Sequence, residues 1–420
     1  MRILLLVDFY PPVVGGLERV VADLARTLVE RGHAVAVATL AHDGLARVED
    51  DGPVRVHRLC GLAQRLPFVF RDPARRFAPP APDPPLGRAL AAVARDFRPD
   101  VVHANGWILY PYLPIAGRGT PPLVATLHEY GSFCARRDLL RDGTPCAGPG
   151  PLKCLRCAMA SYGPAKGSAI DGALALGGLL HGRVDRFLAV SGFVAELAAR
   201  HLPRPRSRRA APIEVVPSFV GDAVPAYRPP TTRSPLLPPG DFLLFVGALA
   251  RHKGVDTLLA AHAALPDAPP LVLMGAEVGE SALPPGGPPP NVRVIRDAPH
   301  PLVLEGWARC AIGAAPSRWP EPFGVVVAEA LALGRPFVAA CAGGLPDIVR
   351  HEETGLLVPP GDAPALAGAL ARLLADPALG ARLGVAGRAR VLERFTATAV
   401  AARLEPIYAA AAAAGHGGLA

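Results

Sequence analysis

At 420 residues, with 50% hydrophobic and 19% charged side chains, the chain is too apolar to be disordered and too long for one ordinary core, so two domains are expected. Its 44 glycines and 49 prolines stay below the share that marks low complexity, and point to many stiffened loops. The net charge of +8 lies wholly in the first half, where 28 basic residues face 20 acidic ones up to residue 222, but only 6% of side chains are aromatic and they do not interleave with cations as base-stacking surfaces do, which excludes a nucleic-acid partner.

Two readings of the basic excess stay open: docking against an anionic membrane surface or an acidic acceptor, or an Arg-rich surface with no partner. The opening MRILLLVDFY has a short apolar run and no signal-peptide pattern, and no segment approaches the roughly 18 apolar residues of a spanning helix. A cytoplasmic protein, at most peripheral to the inner face of a membrane, is the expectation.

Residues 1–8 read as a strand buried in a parallel sheet, and 17–30 as a helix with Val20, Val21, Leu24 and Leu28 on one face. Gly15 and Gly16 fall at the turn between them, either because a ligand must approach the backbone next to a helix N-terminus or because the turn needs positive φ. Further strands are expected at 34–40, 54–59, 100–104 and 123–127, with a Pro- and Arg-rich loop over 63–85. His128 follows the strand ending VATL, and His103 in VVHANG reads as a second strand-end histidine; such positions in a parallel sheet meet ligand, or else the rings are structural.

Cys134, Cys146, Cys154 and Cys157 cluster within a Gly-, Pro- and Arg-rich stretch, the spacing of a structural four-thiolate zinc site or of reactive thiolates in a basic setting. Cys60, Cys310 and Cys341 read as core residues. A strand at 185–190 precedes Ser191, whose expected role is to cap the next helix, and the basic run from Arg204 to Arg209 reads as a solvated loop. These parts make a first domain over 1–220 with a Cys-rich insertion at 131–160, followed by a proline-rich linker at 221–240.

The second domain, 241–395, starts as strand, basic loop and helix, with Arg251 and Lys253 at the mouth where a diphosphate could be neutralised without a metal. Its centre is 319–336, WPEPFGVVVAEALALGRP, set between apolar runs at 310–315 and 337–340. Glu321 is expected in the loop ahead of a helix that begins near Phe323, and Glu329 two turns along it. The following AGGLPD, with Gly343 and Gly344, opens a short helix whose free amides could receive a phosphate. Hydroxyl acceptors beside an anion cradle suit a nucleotide sugar. Residues 396–420 are expected to cross back and pack on the first domain.

PPVVGGLERV, ATLHEY, VGALARHKGVDTLL, PEPFGVVVAEA, GGLPDIV and ETGLLVPPGD, taken in this order, resemble the retaining GT-B glycosyltransferases of family four, the group 1 glycosyl transferases. The resemblance implies an α/β fold of two Rossmann-like doubly wound domains facing a central cleft, and transfer of a sugar from a nucleotide-diphosphate donor to a hydroxyl acceptor. It implies catalytic roles for His128, Lys253, Glu321 and Arg251. Donor binding is implied for Gly15, Gly16, Lys253, Glu321, Phe323, Gly324, Glu329, Gly343 and Gly344, with the nucleobase at the loop 296–299 and no catalytic metal. One departure is plain: Ala248 stands where the family carries an arginine, and Arg251 is only a neighbouring substitute. An epimerase or phosphorylase of the same fold, or a non-catalytic partner subunit, are the alternatives. A NAD enzyme is disfavoured because the first loop lacks G-x-G-x-x-G.

Overall fold

The structure is a computed structural model that describes residues 1–420 except 14, 67–69, 71–75, 118, 203–212, 278–281 and 417–420. The basic run 204–209 and parts of the loop 63–85 lie outside the described residues. The chain divides into two compact units, one of residues 1–139, 147–218 and 400–420, the other of 140–146 and 219–399.

The strands, in chain order, are β1 (Arg2–Val7), β2 (Ala34–Leu40), β3 (Val48–Asp51), β4 (Val54–Leu59), β5 (Val101–Asn105), β6 (Leu123–Leu127), β7 (Leu140–Arg141), β8 (Thr144–Pro145), β9 (Arg186–Ala189) and β10 (Glu214–Val215). The helices alternating with them are α1 (Gly16–Glu30), α2 (Pro84–Phe97), α3 (Leu109–Tyr112), α4 (Pro151–Tyr162), α5 (Pro164–Gly178) and α6 (Gly192–His201). In the first unit the sheet order is β10-β9-β6-β5-β1-β2-β4-β3, parallel except for the edge hairpin of β3 and β4. The core strand explains its own sequence: Ile3 to Val7 are fully buried, as a strand covered on both faces requires. Because β1 lies between β2 and β5, the strand order reverses beside it, leaving a crevice at the C-terminal ends of β1 and β5.

The second unit holds β11 (Leu243–Val246), β12 (Leu271–Met274), β13 (Val292–Ile295), β14 (Ile312–Ala315), β15 (Phe337–Ala340) and β16 (Leu356–Val358). It also holds α7 (Val255–Ala263), α8 (His300–Arg309), α9 (Val325–Ala332), α10 (Leu345–Ile348), α11 (Ala363–Ala375) and α12 (Pro377–Arg394). All six strands are parallel in the order β13-β12-β11-β14-β15-β16, the 3-2-1-4-5-6 arrangement of a doubly wound Rossmann sheet. Leu243, Leu271, Ile312, Val338, Leu366 and Leu370 meet in one core between the sheet and α11. The reversal here falls between β11 and β14.

The last helix, α13 (Ala397–His416), belongs to the first unit from Val400 on. There Tyr408 is buried with its hydroxyl 2.7 Å from Nδ1 of His103. Glu405 accepts two 2.7 Å hydrogen bonds from Arg31 and lies 3.0 Å from Nε2 of His33. Among the described residues no helix is long and apolar enough to cross a membrane.

The cysteine-rich stretch is partly helical. Cys154 and Cys157 sit on α4, which starts after Gly150 with a proline in its first turn, and α4 packs on α5; residues 140–146, including Cys146, cluster with the second unit. All four cysteines are unbridged, and among the described residues no group of three or more His, Cys, Asp or Glu is arranged to hold a metal ion. Burial pushes the Cys134 thiol up, away from the thiolate a metal or a nucleophile needs. Cys310 is buried, as expected for a core residue, but Cys341 is exposed just past β15. Ser191 does cap α6, accepting from the Val194 amide at 3.2 Å.

Candidate active site

In the second unit the charged residues collect on the loops that leave β11 and β14, the two strands at the reversal. Residues Arg251–Lys253 form one 3-10 turn ending at Gly254, whose φ is 74°. A Cβ at Gly254 would lie 1.9 Å from the carbonyl oxygen of Pro316, so only glycine lets this turn seat against the loop after β14. Lys253 Nζ then donates to Glu321 Oε1 at 2.7 Å and stands 4.6 Å from the centre of the Trp319 ring. Ser317 donates its hydroxyl to the same carboxylate oxygen at 2.7 Å. Burial pushes the Glu321 carboxyl up, but the Lys253 charge and the hydrogen bonds from Lys253 and Ser317 outweigh it and hold the group below its usual range. Glu321 is therefore an anion, fixed at one oxygen by its own neighbours.

The glycine pair downstream supports that loop. Gly343 has φ 59°, and a Cβ on it would fall 2.2 Å from the Glu321 carbonyl oxygen, to which Gly344 donates its amide at 2.7 Å. The Gly344 amide, one of those the sequence offers to a phosphate, thus already holds the Glu321 backbone, and α10 behind it is only one turn long. Helix α9 starts at Val325, two residues later than expected, because Gly324 caps it with φ 115°. Phe323 is buried, its ring 5.6 Å from that of Phe395. Glu329 lies on α9 with a nearly buried side chain, 2.8 Å from Nε2 of His300 at the start of α8. Arg251 is exposed at the start of its turn. In the loop 296–299, Arg296 pairs with Glu277 at 2.5 Å.

The first unit builds a second polar cluster at its own reversal. Asp8, just past β1, accepts the amides of Trp107 at 2.7 Å and Ile108 at 2.9 Å. Burial pushes its carboxyl up to about 7, against the opposing pull of Arg137 and those amides. His128, one residue past β6, has Nε2 2.8 Å from Oδ1 of Asn105 at the end of β5. Burial lowers the His128 ring to about 4, so it is neutral at physiological pH. Glu129 accepts from Arg137 Nε at 2.6 Å, and the Arg137 guanidinium stacks over Phe77 and Trp107. Leu17, Trp107, His128, Glu129 and Gly131 line a cavity of about 20 Å³, room for a single water. Gly15 is extended, with φ −156°, and Gly16 has open space where a side chain would be, so neither glycine serves a left-handed turn.

His103 must be corrected. It lies inside β5, not at its end, and is fully enclosed, with Nδ1 bound to Tyr408 and Nε2 to Thr126, each at 2.7 Å. Burial, and then the neighbouring His128, drive it down to about 3. It is a structural histidine. The strand-end position belongs to Asn105, two residues on and on the same face, which the sequence reading missed although period-two counting reaches it. Ser317, His300 and Asp8 were missed as well, since nothing in their local spacing marks them.

Comparison with known proteins decides the family. A family model described as Glycosyltransferase Family 4 matches residues 14–224, and one described as Glycosyl transferases group 1 matches residues 234–390. The chain belongs to glycosyltransferase family 4. This family 4 enzyme is 30% identical over 391 residues to D-inositol 3-phosphate glycosyltransferase 1 of Catenulispora acidiphila, covering 87% of this chain and 83% of that one. It is 27% identical over 434 residues to a glycogen synthase of Mycobacterium tuberculosis, covering 98% and 95% respectively. Among solved structures, sucrose-phosphate synthase from Thermosynechococcus elongatus superposes with a TM-score of 0.72 at 24% identity over 98% of this chain and 99% of that one. The glycosyltransferase fold is GT-B.

Proposed function

We propose that the enzyme transfers a sugar, with retention of anomeric configuration, from a nucleotide-diphosphate sugar held by the second unit to a hydroxyl acceptor. The observation that carries this reading is the Lys253–Glu321–Ser317 cluster at the reversal of a 3-2-1-4-5-6 sheet, with Glu329 on the next helix. Lys253 meets the charge that develops on the departing diphosphate, the main catalytic contribution in a reaction with no bound metal. Glu321 accepts hydrogen bonds from hydroxyls of the transferred sugar, and Glu329 from the ribose in place of His300. From the first unit, Gly15 and Gly16 give backbone approach to the phosphates and His128 meets the sugar. Arg251 supplies cationic charge that Ala248 cannot. One relative is named for its product, glycogen, and the other for D-inositol 3-phosphate, so the acceptor class follows from neither.

The test is to challenge the purified protein with a panel of nucleotide sugars and identify by mass spectrometry the one that raises its melting temperature. That donor should then be consumed with an acceptor, giving product of the donor's own anomeric configuration. An epimerase would change the sugar with no acceptor present. Turnover that survives alanine at both Lys253 and Glu321 would sink the assignment.

A further inference from the structure

Asn105 is enclosed, and its amide has no freedom of orientation. Its Nδ2 faces two backbone carbonyls, Leu6 O at 3.4 Å and His103 O at 3.3 Å, and carbonyl oxygens only accept. Turning the amide over would set Oδ1 against both of them, so the surroundings fix Nδ2 inward and Oδ1 toward His128. Oδ1 is itself only an acceptor, and His128 Nε2 lies 2.8 Å from it. That nitrogen must carry a proton. In a neutral imidazole the other nitrogen is then bare, and Nδ1 of His128 has no partner among the described residues.

We propose that Asn105 is the positioning residue for His128: its amide oxygen fixes the ring as the Nε2–H tautomer and so presents Nδ1 as an acceptor for a substrate hydroxyl. The inference rests on the reading of His128 as a contact of the transferred sugar, and deepens it: the sugar must offer an O–H or N–H donor at that point. It also denies His128 the part of proton donor to the leaving phosphate, since the one proton on the ring is committed to Asn105. The ionisable groups beside the ring are His103 on β5, with Tyr408 facing it, and Glu129, which lines the same cavity and pairs with Arg137.

Two-bond proton–nitrogen correlation spectra of the ¹⁵N-histidine-labelled full chain test this without substrate, with the His128 signals among the 12 histidines assigned by their loss in His128→Gln. The expected spectrum shows a protonated ε2 and a bare δ1 nitrogen from about pH 6 to 8, consistent with a ring whose ionisation lies far below. Asn105→Ala should release a tautomer mixture, and Asn105→Asp should draw a second proton onto the ring at neutral pH. With the donor found above, Asn105→Ala should lower kcat/KM on the order of tenfold, the worth of one well-placed hydrogen bond, and Asn105→Asp should add a new limb to the pH profile. A δ1-protonated ring, an imidazolium at pH 7, or tautomer populations unmoved in both variants overturns the proposal. If the variants fail to fold, the wild-type spectrum alone decides the tautomer. A δ1-protonated ring in an active transferase overturns the inference and leaves glycosyl transfer standing. An ε2-protonated ring in a protein that turns over no nucleotide sugar upholds the role of Asn105 and overturns the substrate half.

Discussion

Lys253 and Glu321 answer to each other, and pH reads the dependence. The Glu321 carboxyl is held low in the folded protein, so the pair adds stability above the unfolded carboxylate value near 4.5, and that stability is lost as pH falls through the lower folded value. In Lys253→Ala the largest opposing influence is gone and burial is left to dominate. The carboxyl should then rise above its unfolded value, and stability should fall as pH increases between about 4 and 7. Melting temperatures of wild type and variant across that range check the reversal of slope. The same substitution should lower kcat by roughly 100- to 1000-fold. Gly343 acts on the same carboxylate through the backbone. Alanine there costs about 1–2 kcal/mol for its left-handed φ, and its methyl would collide with Glu321, so Gly343→Ala should lose activity out of proportion to its loss in denaturant stability.

Elements were legible wherever one residue type repeats with one period. The buried runs of β1, β2, β6, β12 and β15 stand out because strands covered on both faces are built almost wholly of apolar side chains, and α1 shows its stripe of Val20, Val21, Leu24 and Leu28. Two kinds of element were not. Strand β3, Val-Glu-Asp-Asp, is an exposed antiparallel edge with charges on both faces, so it has no apolar period to find. Helices α4 and α5 lie in a stretch whose glycines and cysteines suggest a loop, and their residues are mostly part-exposed, with weak amphipathic patterning. At the site, the positions of Lys253, Glu321 and His128 could be read because strand-loop-helix order sets them just past strand ends, and that of Glu329 because it follows on the next helix, whereas the Asn105 contact with His128 depends on β5 and β6 being neighbours, a long-range fact, and the Ser317 contact on how one short loop folds back on itself. His103 illustrates the same limit. Its hydroxyl partner Tyr408 is 305 residues away, and Tyr408→Phe should strand a buried ring nitrogen and cost about 1–3 kcal/mol in urea unfolding, with the catalytic constants little changed.

At the scale of the whole molecule, the first unit is completed only by the end of the chain. Residues 400–420 cluster with it although 219–399 intervene, and the polar contacts that hold them include Arg31 and His33 on Glu405, Tyr408 on His103, and Arg403 on the Val215 carbonyl at 3.0 Å. Within the second unit, Val220 forms a bridge with Thr396 and Thr398 bonds to Asp222. Removing residues 400–420 should therefore lower the stability of the first unit selectively, exposing the buried faces that Val400, Leu404, Tyr408 and Ala411 cover. Calorimetry of the truncated chain should resolve two transitions, with the one stabilised by donor nucleotide near its wild-type temperature. Acid offers an independent check on the same contacts. Hydrogen bonds from Arg31, and then from His33, hold Glu405 down to about 2, so its contribution is complete above the unfolded value near 4.5 and declines as pH falls toward 2. Glu405→Gln should abolish that acid limb for the first transition and leave the second untouched; equal shifts in both would show that the terminal segment does not belong to the first unit alone.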